Sequence, residues 1–361
     1  MTPDQPISQT ATSSLGMTLV SGLETSGRQL VTALMCGEPG GPTPASDYGD
    51  EQTGALALGV ELAEDLLRQA SDGRRGNTIV ELSADADPQS IGLAMEHVLA
   101  EGRGAMAPTP GDDEAGLVIG PREFVTVASI SDVRRLLFQE GTSLSDDADA
   151  SATLVGQLEF ATVIVLTAAD AHPAGVVSET CALIQQLNPT AAITTPAAAT
   201  ELGRRLRPIR PRLAHQLAST AGWMLRLDEH THFPPARGPL DCHVFNEPRP
   251  LHPERLTTAL GGMTPDRVGL IARSRGLFRL ASRTDHVGDW SSTGSSIQLG
   301  ASGLASSDPD APIGTTIAFF GKNLRTDAID TALHDCALTD DELIAGPTAW
   351  HGYADQFPGW E

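Results

Sequence analysis

Lysine is almost absent. Lys322 is the only one in 361 residues, so nearly all the positive charge is arginine. No lysine can therefore stand in a phosphate-binding loop in the N-terminal half, however the loop is drawn. Cysteine is scarce too. Cys36, Cys181, Cys242 and Cys336 lie far apart and make no C-x-x-C pair, which reads as a reduced chain without a disulfide framework. No apolar run reaches the ~18 residues of a membrane span, so no membrane partner is expected. Basic charge is in deficit. A net charge of −22 argues against binding driven by a basic surface, and no direct DNA binding is expected. The acidic surface suits solubility, a metal cation or a basic protein partner. The opening MTPDQPISQTATSS lacks the basic and apolar regions of a secretory signal. Residues 1–15 read as a loose tail, and the expected location is cytoplasmic.

Short apolar runs alternate with helical patterns. MTLV (17–20), NTIVEL (77–82), FVTVA (124–128), ATVIVLT (161–167) and AAITT (191–195) read as strands. Helix-period segments fall between them, which predicts an α/β domain with a parallel sheet over 16–202. Ligands in such sheets sit outside the carboxyl ends of the strands. The segments near Gly22, Ser83 and Asp170 fall at those ends. Residues 203–240, with the arginine cluster GRRLRPIRPR and the stretch DEHTHFPPARGP, read as a linker. From 241 to 361 the pattern changes to a small α+β domain with an antiparallel sheet. Within it VGLIARSRGLFRLAS predicts two strands about a Ser-Arg-Gly turn. TDDEL predicts a capping box, with Thr339 at the N-cap and Glu342 three residues on.

Several C-terminal segments together resemble the C-terminal domain of CobW-type proteins: RPLHPERL (249–256), RSRGLFRLASR (273–283), DWSSTGSSIQL (289–299), FFGKNL (319–324) and LTDDELIAGPTAW with FPGWE (338–361). That family consists of P-loop GTPases of the metal-chaperone class. In the N-terminal half, TLVSGLETSGRQLVTALM resembles the family's first strand, P-loop and helix. TIVELSADADPQSI resembles its second acidic motif, and VGQLEFATVIVLTAADA the segment ending in N-K-x-D. The resemblance implies a degenerate P-loop NTPase-like sheet followed by a CobW C-terminal domain.

It also implies a nucleotide site whose parts have changed. A P-loop holds phosphate by backbone N–H groups and a lysine, and Mg²⁺ by a Ser or Thr hydroxyl. Here Gly22 and Gly27 remain, Arg28 replaces the lysine and Gln29 the hydroxyl residue. Arginine keeps the charge but fills space differently. The second motif keeps Glu81, Ser83, Asp87 and Pro88 but has Ala84 for its glycine. Of N-K-x-D only Asp170 is left, and an aspartate closing a strand is more often a turn or cap residue. The family's C-x-C-C metal motif is missing, and Cys36 alone cannot bind Zn²⁺. His230, His232, Cys242 and His243 are the one remaining candidate metal cluster, against the plainer reading of a solvated linker carrying histidines. His252 reads as a structural helix-entry residue.

Two functions follow as expectations, with a non-hydrolysing nucleotide-binding switch that uses Gly22, Gly27 and Arg28 without Mg²⁺ ranked between them. The first is a pseudo-GTPase without catalytic residues, in which GTP binding is weak or lost. It resembles an actinobacterial CobW-like subgroup implicated in zinc homeostasis and in recruiting a ribosome hibernation factor when zinc is scarce. Its partner would be basic, a ribosomal protein or the hibernation factor. The second is a GTP-binding metallochaperone delivering zinc or cobalt.

Overall fold

The computed structural model describes residues 14–37, 43–44, 54–105, 118–139, 148–205, 211–228, 240–309 and 311–360. In chain order the elements begin with β1 (Ser14–Ser21), α1 (Thr25–Cys36), β2 (Thr43–Pro44), α2 (Ala55–Ser71), β3 (Gly76–Glu81) and α3 (Pro88–Ala105). Next come β4 (Val118–Ser129), α4 (Ile130–Leu137), α5 (Ala148–Phe160), β5 (Val163–Thr167), α6 (Ala174–Leu187) and β6 (Ala192–Thr194). Three short helices follow, α7 (Ala199–Arg205), α8 (Ala214–Ala218) and α9 (Gly222–Leu227). The last part holds β7 (Leu240–Glu247), α10 (Pro253–Gly262), α11 (Pro265–Val268), β8 (Leu270–Phe278), β9 (His286–Thr293) and β10 (Ser296–Ala305). It closes with β11 (Thr315–Lys322), α12 (Thr326–His334), α13 (Asp340–Ala345) and α14 (Pro347–Trp350).

Contacts divide the chain into two compact units that do not follow chain order. The first holds residues 1–128, 160–167 and 192–218; the second holds 129–159, 168–191 and 219–361. Helices α4, α5 and α6, which sequence order places among the strands of the parallel sheet, therefore group with the C-terminal sheet. The stretch expected as a linker carries α8 and α9, one in each unit.

The first unit is built on a sheet of order β2-β3-β1-β4-β5-β6. β1 runs parallel to β3 and β4, and β5 to β6. β1 is buried on both faces, as a central parallel strand must be. Leu15, Met17 and Leu19 meet Leu62, Leu66, Ile91 and Met95 of α2 and α3 on one side. Val20 meets Val31 and Met35 of α1 on the other. This alternation is the two-residue period of a strand read out as two cores.

The second unit carries an antiparallel sheet of order β10-β9-β8-β11-β7. Phe245, Phe278, Trp290, Ile317 and Phe319 form its core with Leu256, Ile329 and Leu333 of α10 and α12. The capping box is present: Thr339 accepts from the Glu342 N–H and the Glu342 carboxylate from the Thr339 N–H. The Ser-Arg-Gly turn is not. Ser274, Arg275 and Gly276 lie in the middle of the single strand β8, paired with β9 and β11. Gly276 is there for close approach, since a Cβ would fall 2.1 Å from the Thr316 carbonyl oxygen. A glycine inside a strand pattern marks such a contact as often as a turn.

Candidate functional site

The loop after β1 and the loop after β3 leave the sheet at the same end, because Val20 pairs in parallel register with Glu81. Between them α1 begins. Gly22 has φ of 145°, and a Cβ there would lie 2.2 Å from the Val127 carbonyl oxygen. Only glycine fits both the dihedral and the space. The strand–glycine–helix geometry of a P-loop is thus present.

The phosphate-holding chemistry is arranged differently. Arg28 is 4% exposed and turns back into the loop. Its Nη1 donates to the Gly22 carbonyl at 2.5 Å and its Nη2 to Thr25 Oγ1 at 3.1 Å. Its Nε lies 3.5 Å from Glu81 Oε1 without a hydrogen bond. A phosphate-binding cation has to present its charge to the space in front of the helix. This one is spent on a loop carbonyl, a loop hydroxyl and the carboxylate of the second motif. Glu24 stands at the N-cap of α1 and accepts from Ser26 Oγ at 2.6 Å. It brings a negative charge to the helix end that would otherwise attract an anion. Gln29 is exposed on α1. The residues as arranged do not fit a Mg²⁺–nucleotide triphosphate.

The rest of the second motif is structural. Asp87 caps α3: its Oδ1 accepts from the Gln89 and Ser90 N–H groups at 3.0 and 3.3 Å, and its Oδ2 from Ser90 Oγ at 2.5 Å. Pro88 opens the helix, where a missing N–H costs nothing. Ala84 is half-buried in the turn. Asp170 is exposed in a single turn of 3-10 helix after Ala168, whose φ is 57°. It belongs to the second unit, whereas Gly22, Gly27, Arg28, Gln29, Glu81 and Ala84 belong to the first.

His230 and His232 lie outside the described residues. Cys242 and His243 are consecutive on β7 and so point to opposite faces. His243 Nε2 pairs with Asp330 Oδ1 of α12 at 2.6 Å. Burial pushes the Cys242 thiol up to about 11, only partly offset by the Arg226 charge. A metal ligand must be thiolate, so this environment disfavours binding. Among the described residues no group of three His, Cys, Asp or Glu side chains is placed to hold a metal.

His252 is at the helix-entry position expected of it, the N-cap of α10, with its ring stacked on Tyr353 at 4.2 Å. The sequence did not reveal the cluster around Glu179. This α6 carboxylate meets Arg134 Nη1 of α4 at 2.5 Å and Lys322 Nζ of β11 at 2.7 Å. Its signal was the singularity of Lys322, which sits in the FFGKNL segment without an obvious local partner.

Residues 240–337 match the family model described as the cobalamin synthesis protein cobW C-terminal domain. Among solved structures the chain is similar to the Zn(II)-bound YjiA GTPase from E. coli, at 12% identity and a TM-score of 0.34, covering 90% of this chain and 99% of that one. It is likewise similar to a Zn(II)-bound triple mutant of YjiA, at 13% identity and a TM-score of 0.30 with the same coverage. Likeness at that level carries no weight; the strand order and the Gly22 loop after β1 define the first unit. The chain is an α/β protein with a parallel, P-loop-like sheet, and from residue 240 to 337 it carries a CobW C-terminal domain.

Proposed function

We propose that this protein is a CobW-like pseudo-GTPase that keeps the nucleotide-binding fold and acts through protein contacts. The observation that carries the reading is Arg28, buried, hydrogen-bonded to Gly22 and Thr25 and ion-paired with Glu81. The cation that should meet phosphate is consumed inside the loop, and Gln29 stands where the Mg²⁺-binding hydroxyl of a P-loop would be. The subgroup that the sequence resembles gives the role: recruitment of a ribosome hibernation factor under zinc limitation. The charge of −22 supports a basic partner, a ribosomal protein or the factor itself.

Titration with a fluorescent GTP analogue, with and without Mg²⁺, tests the first part. Neither Mg²⁺-dependent tight binding nor turnover is expected, and either one would return the chain to the metallochaperone GTPases. The recruiting role is tested by deleting the gene in zinc-limited cells and measuring the hibernation factor on ribosomes. An unchanged level removes that role.

A further inference from the structure

The antiparallel sheet ends on β10, and among the described residues no strand lies beyond it. Hydrogen bonding fixes which of its groups are left over. The Gly294 N–H donates to the Ala272 carbonyl of β8. At steps of two, Ser292, Trp290 and Gly288 therefore turn their backbone toward β8. Thr293, Ser291 and Asp289 face β10, opposite Ser296, Gln298 and Gly300. What remains is the backbone of Ile297, Leu299 and Ala301, whose N–H and C=O groups point off the free edge of the sheet.

The two ends of this sheet are treated differently. β7, at the other end, carries Asp241, His243 and Glu247 and packs against α6 and α12. Charges and cover of that kind keep a natural sheet edge from pairing with another chain. β10 lacks the charges. Its ten residues, SIQLGASGLA, hold no ionisable side chain and no proline, in a chain of net charge −22. None of them is buried.

Charge and register select the occupant. Two chains of net charge −22 each repel one another, and contact between them is least opposed where neither brings charge. The edge is also self-complementary. Its three outward residues are spaced evenly about Leu299. A two-fold axis through Leu299 sets Leu299 of one copy against Leu299 of the other and Ile297 against Ala301, and it pairs every outward N–H and C=O of both copies. On that face Leu299 packs on the core and Ile297 is 40% exposed, so the large side chain meets a small one. The turn at Gly294 and Ser295 precedes the regular stretch and a register shift after Ala301 ends it, which favours this one register. The edges left over on such a pair are both β7, whose charges oppose a third copy.

We propose that β10 is a self-association edge, on which a second copy of this chain adds its own β10 antiparallel and joins two five-stranded sheets into one across Leu299. Contact along one short strand is small, so the pair belongs to the weak, concentration-dependent class.

The test follows the full chain by sedimentation velocity from low to high micromolar concentration. A monomer–dimer equilibrium is expected, tightening as salt screens the repulsion between copies. Amide exchange at Ile297, Leu299 and Ala301 should slow as concentration rises, while Gln298 and Gly300, already bonded to β9, should not respond. Gln298 and Gly300 of opposite copies face each other in this register, and a Cβ added at Gly300 meets no atom within 4 Å. Gln298→Glu with Gly300→Glu opposes like charges and should weaken the dimer roughly tenfold or more. Gln298→Lys with Gly300→Glu opposes unlike charges and should keep it. A chain that stays monomeric throughout overturns the proposal. So does a dimer that the two-acid variant leaves intact, or concentration-dependent protection at Gln298 in place of Leu299. Should the two-acid variant fail to fold, the exchange pattern decides.

Discussion

Arg28 donates to the carbonyl of Gly22, six residues earlier, so the side chain at the P-loop lysine position closes the loop instead of facing outward from it. Arg28→Ala should therefore behave as a core mutation. Removing the guanidinium leaves the Gly22 carbonyl and Glu81 without their partner, at a cost of about 1–3 kcal/mol. Denaturant unfolding reads the loss. Any residual affinity for GTP should be unchanged; a drop would mean that Arg28 touches phosphate after all.

Acid should loosen α13 before the rest of the domain. The Arg255 guanidinium, with the Thr339 N–H, holds the Glu342 carboxyl down to about 2, against an ordinary 4.5. A depressed folded pKa stabilises the fold above the unfolded value, and the benefit is lost as pH falls from about 4.5 through about 2. Hydrogen exchange of α13 amides across that window should show rising openness in the wild type. In Glu342→Gln the dependence should flatten.

Glu179 links two cations, and its two sides are unequal. Burial alone would raise its pKa, but hydrogen bonds from Lys322 and Arg134 outweigh burial and lower it. Glu179→Gln leaves Arg134 and Lys322 facing each other, a loss on the order of 2 kcal/mol. Lys322→Met removes one cation and leaves the Arg134 pair intact, so it should cost less. Melting temperatures in that order support the arrangement, and the reverse order refutes it.

Cys242 should be a silent thiol. With its pKa near 11 it should resist iodoacetamide in the native chain at neutral pH and react only on unfolding. Equimolar zinc should leave its labelling rate unchanged. Protection by zinc would instead place a metal at β7.

Much of this molecule was legible in its residues because the signals were local. The alternating apolar runs placed the strands of the parallel sheet, and Thr339 with Glu342 announced their own helix cap. What failed was non-local. Gly276 looked like a turn because sequence records a missing Cβ, while the reason for it, the backbone of β11 close by, belongs to a strand about forty residues away. The free edge of β10 was invisible for a related reason. An uncharged strand reads alike at the centre and at the end of a sheet until the strand order places it.

By itself, the sequence determined that no lysine stands in the first loop, that no hydroxyl follows it, and that the chain ends in segments of CobW type. Chemical identity is a property of the residue and survives any fold. Only the tertiary structure decided where the charge of Arg28 goes. A guanidinium can reach outward to a phosphate or inward to a carbonyl, and burial beside Gly22, Thr25 and Glu81 selects the second.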